Sequence, residues 1–444
     1  MKIAVAGYGA EGESSYRYWN TPENQVVIVD EQQPSHEPPV DASVIVGEGA
    51  YSKLAGYDLV VRTAGLAPRK IQTDGKVWSA TNEFFAKCPA TIIGVTGSKG
   101  KGTTSSLIVS ILRAGGKNVH LVGNIGVPAL DVLPEIKADD IVVYELSSFQ
   151  LWDAEKSPHV AVVLMIEPDH LDVHTDMDEY VDAKANIRRH QGCMDVCIYH
   201  PTNEYSRRIA TTPTDTHQDE YCDGGMDAFY RFGIASEGQV YVKDDMFMQD
   251  DRRVASVDAL KLAGQHNIEN ACAAISAVLC IEPVARKMIE QGLSDFTGLP
   301  HRLKFVRAVN GVQYYDDSIA TTPGSAIAAM HAFDQPKVII LGGSSKGAQF
   351  DEVAKVAAES NVKTAILIGQ EADRIEQVLR EQNIATVNMG NDVAMSDLIT
   401  EATRHAEKDD VVILSPACAS FGMFKNYNDR GDQFVAAVNA IEEL

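Results

Sequence analysis

The sequence predicts an α/β protein whose sheets are mainly parallel. Short apolar segments, typical of buried strands, alternate with helical patterns along most of the chain. Several of these segments end in glycine-rich turns, as strands do where they lead into a helix of a doubly wound fold. The length of 444 residues corresponds to about three domains of about 150 residues each. We place these domains at residues 1–88, 89–297 and 298–444.

The charge and cysteine content exclude several classes of protein. The chain has 62 acidic and 39 basic residues and a net charge of −23, which repels nucleic acids and anionic membrane surfaces. Its 7 cysteines are scattered without a C-x-x-C pair, so neither a disulfide framework nor a zinc cluster is predicted. No apolar run reaches the length of a membrane span. We therefore expect a cytoplasmic protein with no nucleic-acid or membrane partner. As a separate expectation, we take the protein to be a monomer.

The first domain begins like a dinucleotide-binding βαβ unit. A predicted strand at 2–6 leads into the turn Gly7-Tyr-Gly-Ala-Glu-Gly12, which is followed by a helix and by a second strand ending in Asp30. An acid about 20 residues after such a turn stands at the position expected in nucleotide-binding units. These features predict a Rossmann-like domain. The alternative is a βα turn that needs its glycines only for packing.

The second domain opens with a glycine-rich loop, Gly97-x-x-Gly100-Lys101-x-Thr103, between an apolar segment and a predicted helix. Glycine lets the backbone approach phosphate oxygens, and the lysine places a positive charge beside the β- and γ-phosphates. Thr103 supplies a hydroxyl for Mg²⁺. The complete Walker pattern is not present, because Val95 stands where that pattern has glycine. The loop predicts ATP binding, with a plain glycine-rich βα turn as the alternative.

Acids and histidines follow two later strands of this domain. Glu145 comes directly after a predicted strand at 141–144, where parallel sheets bind ligands, and its oxygens suit Mg²⁺. The loop after a predicted strand at 160–166 contains His170 and His174. We expect His170, which is nearer the strand, to be the metal candidate and His174 to be exposed.

The rest of the second domain has weaker patterns. Lys184 lies in a helical pattern and, judged from its neighbours alone, would be an ordinary surface lysine because buried lysines are rare. Residues 203–257 contain several Gly and Asp turns and predict a smaller, irregular or β-rich part. A helix is predicted at 267–279.

The third domain predicts a doubly wound α/β fold with a pocket at one sheet edge. Polar turns at 316–323, 341–346 and 415–420 follow apolar strands, and such turns at the carboxyl ends of strands form ligand sites. Together they predict a site for a small dicarboxylate. Cys418 has no base spaced to activate it, so we expect a packed thiol. The predicted strands are at 338–341, 364–368 and 411–414, and the predicted helices at 352–359, 372–382 and 395–406.

Taken together, these motifs resemble those of the Mur ligases, the ATP-dependent amide-forming enzymes of peptidoglycan precursor synthesis, over nearly the whole chain. Within that family, the C-terminal motifs are similar to those of the members that add glutamate to UDP-N-acetylmuramoyl-L-alanine. The matching segments are 96–101 (TGSKGK), 123–126 (GNIG), 145–150 (ELSSFQ), 169–170 (DH), 264–267 (GQHN) with Asn270, 301–302 (HR), 316–318 (DDS), 414–420 (LSPACAS) with Phe424, and 430–431 (RG).

The resemblance implies a reaction in two steps. ATP phosphorylates the carboxylate of the UDP-sugar substrate to an acyl phosphate, and the amine of glutamate then displaces the phosphate. The implied catalytic residues are Lys101, His170 and Lys184. One Mg²⁺ would bind Thr103 and Glu145, and a second would bind His170 and Lys184, whose counterpart in the family is carbamylated.

The resemblance also assigns binding residues by ligand. The implied ATP ligands are Gly97, Ser98, Lys99, Gly100, Lys101, Gly102, Thr103, Thr104, Asn267, Arg302 and Asp317. The implied substrate ligands are Gly9 and Asp30 for the UDP group, Asn124 for the sugar, and Thr321, Lys346, Ser420 and Tyr427 for glutamate.

Departures from the family pattern leave alternatives open. Ile319 stands where many D-glutamate ligases have lysine, and residues 421–422 (FG) replace a usual Leu-Asp, so L-glutamate is an alternative substrate. The GKG sequence at 100–102 is similar to that of folylpolyglutamate synthetases. The loop nevertheless follows an N-terminal unit of about 90 residues, which suits a UDP-sugar ligase better. A nucleotide-binding protein that has lost its activity is a further alternative, which the retained site residues oppose.

Overall fold

The computed structural model describes residues 1–34, 36–124, 127–215, 240–249, 251–262, 264–281, 283–345 and 347–442, and the backbone of 229–231. The chain forms two compact units. The first comprises Met1–Lys261 and Gln265–Phe296, and the second comprises Leu262–Gly264 and Thr297–Leu444. The predicted boundary at 88 falls inside the first unit, and the division into three domains stays a prediction.

The first sheet of the first unit is parallel throughout, with strand order β3-β2-β1-β4-β5. Its inner strands are runs of β-branched residues that are buried on both faces, which explains why they read as continuous apolar segments. The strand predicted at 2–6 is confirmed. The elements are β1 (Lys2–Ala6), α1 (Ala10–Trp19), β2 (Gln25–Asp30), β3 (Ser43–Val46), β4 (Leu59–Arg62), β5 (Lys76–Ser79) and α2 (Ala80–Lys87).

The second sheet of this unit is also parallel, with order β11-β10-β9-β6-β8-β7. Its central strand β6 leads through the glycine-rich loop into α3, as predicted. The elements are β6 (Thr91–Thr96), α3 (Lys101–Ala114), β7 (Val119–Gly123), α4 (Ala129–Val132), β8 (Ile141–Glu145), α5 (Ser148–Leu151), β9 (Val160–Val163), α6 (Met177–Arg189), β10 (Val196–Tyr199), α7 (Glu204–Ala210) and β11 (Phe229–Arg231).

A small antiparallel sheet and two helices complete the first unit. Residues 240–256 form the β-rich part that the turn-rich sequence predicts, whereas the same predicted segment begins with the helix α7. Residues 216–228, 232–239 and 250 of that segment lie outside the described residues. The elements are β12 (Val240–Lys243), β13 (Met246–Gln249), β14 (Arg252–Ser256), α8 (Gln265–Ile281) and α9 (Arg286–Asp295).

The second unit is a doubly wound α/β sheet of order β15-β16-β20-β17-β18-β19, in which only the edge strand β15 is antiparallel to its neighbour. The predicted α/β class is confirmed. The elements are β15 (Lys304–Val309), β16 (Val312–Asp316), α10 (Pro323–His331), β17 (Lys337–Gly342), α11 (Asp351–Glu359), β18 (Val362–Ile368), α12 (Ala372–Glu381), β19 (Ala385–Gly390), α13 (Met395–His405), β20 (Val411–Leu414) and α14 (Tyr427–Asn439).

Within the described part of the chain, no helix has both the length and the apolar composition needed to cross a membrane.

Candidate active site

The glycine-rich loop is shaped by its contact with α8. Gly100 precedes α3 with a φ of +83°, and a Cβ on it would lie 2.4 Å from Oδ1 of Asn270. That Asn270 oxygen accepts a hydrogen bond from the Thr104 hydroxyl (3.2 Å), and the Asn270 amide donates to Oδ1 of Asn267 (3.1 Å). Glycine is therefore required at position 100 both by the backbone conformation and by the lack of space. This contact places Asn267, a predicted ATP ligand, two hydrogen bonds from the loop.

Two lysines converge on one carbonyl oxygen of the loop. Lys101 Nζ donates to the carbonyl oxygens of Gly97 (2.9 Å) and Ser98 (3.1 Å). Lys184 Nζ donates to the same Gly97 oxygen (3.1 Å) and to Oγ1 of Thr96 (3.3 Å). Lys184 is only 1% exposed, so the expectation from its neighbours alone, a surface lysine, is wrong. Lys184 lies on the face of α6 that packs against the glycine-rich loop.

Burial changes the acid–base behaviour of this lysine. Loss of solvent lowers the pKa of the Lys184 amine well below its ordinary value of 10.5, and the positive charge of Lys101 lowers it further. The negative charges of Asp169 and Glu145 oppose that shift. The neutral amine is consequently favoured far more than for a solvent-exposed lysine.

Glu145 ends β8 beside the phosphate loop. Its side chain is buried, and Oε1 accepts a hydrogen bond from the amide of Asn124 (2.9 Å). The Asn124 backbone N–H also donates to the Glu145 carbonyl oxygen (3.1 Å). Strand pairing places Glu145 opposite Val95, one residue before the end of β6. The predicted magnesium ligand and the predicted sugar ligand are therefore neighbours.

The side-chain oxygens beside the phosphate loop suit one Mg²⁺ that is also bound by phosphate and water, rather than an ion held entirely by protein ligands. In the described ranges, no group of three or more His, Cys, Asp or Glu residues is arranged to hold a metal ion. Thr103 and Glu145 are buried oxygen donors at the ends of neighbouring elements. Mg²⁺ typically takes one or two protein ligands and completes its shell with substrate phosphates and water. A second ion at Lys184 requires that the amine first become an oxygen ligand, because an ammonium only donates hydrogen bonds.

The two histidines of the loop after β9 differ in environment. His170 is exposed, has a φ of +54°, and its Nε2 lies 3.5 Å from a carboxylate oxygen of Asp169. His174, expected to be exposed, is buried. Its ring packs 4.0 Å from that of Trp152, and Nε2 shares a 3.0 Å hydrogen bond with the Ser148 hydroxyl. The expectation was wrong because these partners come from α5 and from the residue that follows it, which are separated from the loop by β9.

The predicted UDP ligands lie at the carboxyl edge of the first sheet. Asp30 Oδ2 accepts the backbone N–H of Tyr8 (3.0 Å), and Oδ1 accepts the hydroxyl of Tyr51 (2.8 Å). Gly9 is the N-cap of α1. Asp30 thus stabilises the glycine turn, and its contact with a nucleotide base stays a prediction.

Sequence reasoning missed Arg62, which ends β4 and is fully buried. Its Nε and one terminal nitrogen donate to the two oxygens of Asp153 (2.7 and 2.5 Å), and the same terminal nitrogen donates to the Phe149 carbonyl (2.9 Å). The other terminal nitrogen donates to the carbonyl of Leu66 (2.8 Å). A charged residue at the end of an apolar strand, the signal used for Glu145, was also present here.

In the second unit, the three predicted polar turns meet at one edge of the sheet. Asp317 N–H donates to the Leu414 carbonyl (2.8 Å), and Gly342 N–H donates to that of Pro416 (2.8 Å). Arg430 is fully buried and donates to the carbonyl oxygens of Ser318 (2.7 Å) and Cys418 (3.2 Å). These bonds hold the turns together, as the prediction of a common pocket requires.

The individual residues of this edge have different surroundings. Asp317 accepts hydrogen bonds from the Ser415 hydroxyl (2.7 Å) and the Leu303 N–H (3.1 Å), and burial raises its pKa to about 7. Cys418 is packed as predicted, and burial raises its pKa to about 12. Lys346 lies outside the described residues. Arg302 and Tyr427 are exposed, Thr321 is half-buried, and Ser420 is buried.

Comparison with known proteins assigns most of this chain to one family. Residues 95–278 match the Mur ligase middle domain, and residues 301–418 match the Mur ligase glutamate ligase domain. A protein of Acetivibrio thermocellus named UDP-N-acetylmuramoylalanine–D-glutamate ligase is 40% identical over 419 residues, which cover 91% of this chain and 87% of that protein. The chain belongs to the Mur ligase family. A ligase of the same name from Clostridium tetani is 36% identical over 404 residues, covering 88% of this Mur ligase and 85% of the relative.

Solved structures share the Mur ligase fold at low identity. UDP-N-acetylmuramate–alanine ligase MurC from Thermotoga maritima has a TM-score of 0.61 and 14% identity, and covers 99% of each chain. The E. coli protein FolC has a TM-score of 0.57 and 16% identity, and covers 81% of this chain and 92% of its own. As a Mur ligase, the protein is an enzyme of the ligase class that uses ATP, and the resemblance inferred from its motifs is confirmed.

Proposed function

We propose that this Mur ligase joins D-glutamate to UDP-N-acetylmuramoyl-L-alanine in the cytoplasm, with cleavage of ATP to ADP and phosphate. The observation that carries the mechanism is the convergence of Lys101 and Lys184 on the Gly97 oxygen, beside the buried Glu145. The names of the relatives at 36–40% identity support the choice of substrates. We also propose that the enzyme acts as a monomer.

In the first step, the alanyl carboxylate attacks the γ-phosphorus of ATP, the bond from phosphorus to the bridging oxygen breaks, and ADP leaves. Negative charge grows on the phosphoryl oxygens and on the leaving group. The loop N–H groups, the start of α3 and the ammonium of Lys101 are the groups proposed to stabilise it. Bound Mg²⁺ would neutralise phosphate charge, and Thr103 and Glu145 are the residues proposed to hold it.

In the second step, the neutral amine of glutamate attacks the acyl carbon. The tetrahedral intermediate expels phosphate, the nitrogen loses a proton, and an amide remains. We propose that Thr321, Lys346, Ser420 and Tyr427 bind glutamate at the edge of the second unit. The hydrogen bonds from Arg430 to the carbonyl oxygens of Ser318 and Cys418 support this proposal, because they join two of the turns that carry these residues.

We further propose that Lys184 is carbamylated. A neutral amine can attack CO₂, forming an N–C bond and releasing one proton, whereas an ammonium has no lone pair for this reaction. The lowered pKa of Lys184 supports the proposal. The resulting carbamate would offer anionic oxygens in place of a cation, and with His170 it would hold a second Mg²⁺. Carbon NMR with ¹³C-bicarbonate should show a carbamate signal in the wild-type protein and none in Lys184→Met.

The glutamate enantiomer is the main alternative within this function. Many D-glutamate ligases have lysine where this chain has Ile319, and an isoleucine side chain does not by itself select either enantiomer. L-glutamate is therefore the competing substrate. Phosphate release measured with each enantiomer separates the two. The folylpolyglutamate synthetase alternative is less favoured, since the relatives at 36–40% identity are named UDP-N-acetylmuramoylalanine–D-glutamate ligase. Phosphate release with a folate substrate would revive it.

The central test is Lys101→Ala in an assay of phosphate release with ATP, Mg²⁺, UDP-N-acetylmuramoyl-L-alanine and D-glutamate. Losing one group that stabilises transition-state charge lowers turnover by about 10²- to 10³-fold. Lys156→Ala is the matched control, because Lys156 is an exposed lysine of the same unit and should leave turnover unchanged. Wild-type turnover in Lys101→Ala would refute the mechanism.

A further inference from the structure

A buried histidine forms the centre of an aromatic cluster beside the proposed metal site. The His174 ring lies 4.0 Å from the ring of Trp152, 5.4 Å from Phe149 with the planes parallel to within 4°, and 5.3 Å from Tyr180. Its Nε2 shares a 3.0 Å hydrogen bond with the hydroxyl of Ser148. The imidazole is therefore fixed by three rings and by the Ser148 hydrogen bond, and its Nδ1 lies 3.9 Å from a carboxylate oxygen of Glu179.

This cluster contacts the loop that carries His170 in two ways. The backbone N–H of His174 donates to the carbonyl of His170 (2.9 Å), which closes the turn between them. The ring of Phe149, stacked on His174, lies 4.8 Å from the His170 ring. His170 has a φ of +54°, a conformation that is unfavourable for a residue with a side chain and persists only where neighbours impose it.

The other side of the cluster reaches the phosphate loop. Tyr180 packs edge-on against His174, and its hydroxyl shares a 2.9 Å hydrogen bond with the Ser98 hydroxyl. Lys184 Nζ lies 4.7 Å from the centroid of the same Tyr180 ring. The Phe149 ring therefore lies between His174 and His170, and the Tyr180 ring lies between His174 and both Lys184 and Ser98.

We infer that His174 is a positioning residue of the proposed metal site, which it serves by fixing the His170 loop relative to Lys184 and the phosphate loop. It does not touch the reacting atoms. The Ser148 hydroxyl sets the rotation of the imidazole, and the ring faces set the position of Phe149 and Tyr180. The inference rests on the proposed function, because that proposal names His170 and Lys184 as metal-holding residues.

The outer face of the cluster is contacted by the segment between β4 and β5. The guanidinium of Arg69 lies 5.5 Å from the centroid of Trp152 and donates to the Val173 carbonyl (2.5 Å). Arg69 also pairs with Glu179 (3.1 Å), which accepts the N–H of Thr175 (2.6 Å). The loop that carries His170 is therefore contacted by Arg69 on one side and by the aromatic cluster on the other. His174 is the buried residue of this loop that joins it to the cluster.

The test measures Mn²⁺ binding rather than turnover alone. Mn²⁺ is titrated into the full-length protein without nucleotide, because ADP itself binds Mn²⁺ and would add the separate site at Thr103 and Glu145, and free Mn²⁺ is counted by electron paramagnetic resonance. Ser148→Ala keeps the imidazole and the fold but removes its hydrogen bond, and should weaken Mn²⁺ binding about fivefold, the factor that one neutral hydrogen bond typically contributes. His174→Phe keeps an aromatic ring at this position and loses the same hydrogen bond, so its Mn²⁺ affinity should fall by a similar factor. His174→Ala should bind more weakly than either.

His200→Ala is the matched control. His200 is also a buried imidazole of the first unit, with its Nε2 3.4 Å from a carboxylate oxygen of Glu269, and its loss should lower the thermal midpoint without changing Mn²⁺ affinity. Wild-type affinity in both Ser148→Ala and His174→Phe would overturn the inference. An equal loss of affinity in His200→Ala would also overturn it, because the effect would then reflect general destabilisation. If the wild-type protein itself bound no Mn²⁺, the proposed metal site would be contradicted, and this inference with it.

Discussion

Replacing Gly100 by alanine tests the geometry of the phosphate loop most directly. The new methyl carbon would stand 2.4 Å from Oδ1 of Asn270, so the asparagine must move. Asn270 is buried and is bonded to both Thr104 and Asn267. The displacement therefore disturbs two hydrogen bonds in addition to the backbone.

The expected cost has two parts. A side chain at a φ of +83° costs about 1–2 kcal/mol, and the two disturbed hydrogen bonds cost about 0.5–1.5 kcal/mol each. Gly100→Ala should therefore lower the free energy of unfolding by about 2–5 kcal/mol. ATP affinity should fall as well, because the N–H groups of the loop would be displaced from the phosphates.

Gly116→Ala separates the two parts. Gly116, at the other end of α3, has a φ of +80°, but a Cβ there would meet no atom within 4 Å. Only the backbone cost, about 1–2 kcal/mol, should appear, and ATP binding should be unchanged. Urea unfolding followed by circular dichroism gives the stability of each variant, and calorimetric titration gives ATP affinity. Equal destabilisation of the two variants, or wild-type ATP binding by Gly100→Ala, would refute the reasoning.

Three further substitutions test buried charges. Lys184→Met should lower phosphate release at least about 100-fold. In CO₂-free buffer, where wild-type Lys184 is the free amine rather than a carbamate, the variant should be more stable than the wild type at neutral pH. Between the lowered pKa of Lys184 and 10.5, the unfolded chain binds more protons than the folded one. The free energy of unfolding of the wild type should therefore rise with pH in that window, and its difference from that of Lys184→Met should become smaller. For Asp317, burial raises the pKa from 3.8 to about 7, so the folded protein binds more protons than the unfolded chain between these values. The free energy of unfolding of the wild type should therefore fall by about 4 kcal/mol as the pH rises through that window. That of Asp317→Asn should not show this fall. Asp153→Asn leaves the Arg62 charge buried without its carboxylate and should cost about 3–5 kcal/mol in urea unfolding.

Specific outcomes would contradict these expectations. A Lys184→Met protein less stable than the wild type at pH 7 would show that the buried amine is stabilising. Parallel stability profiles of Asp317→Asn and the wild type between pH 4 and 7 would show that another group titrates. A cost below about 1 kcal/mol for Asp153→Asn would mean that water reaches Arg62.

The strands that were predicted share one property: they are buried on both faces and read as uninterrupted apolar runs. Strand β20 (Val411–Leu414) is an example, and its bounds were predicted without error. Strand β19 (Ala385–Gly390) was not predicted, because it lies at the edge of its sheet, is partly exposed and contains polar residues. Apolar patterns report burial, which explains why a partly exposed edge strand escapes them, although the interior strand β10 (Val196–Tyr199) was not predicted either.

The candidate site divides along similar lines. The phosphate loop was predictable because its function lies in consecutive residues. The burial of Lys184 was implied only by the family resemblance, since its partner oxygens belong to residues 96–97, nearly ninety positions earlier. His174 was misjudged for the same reason: its contacts come from 148–152. Contacts between distant segments arise from packing, and a single sequence does not display them.

The bonds of Arg62 have a consequence for engineering. Because this guanidinium from the first sheet uses Asp153 and the Phe149 carbonyl beside the second sheet as acceptors, the two sheets are not interchangeable modules. A chimera with its crossover near residue 88 would import a buried cation without a matching anion. Recombination that aims to alter sugar-nucleotide preference should transfer the segment around Asp153 together with the N-terminal sheet.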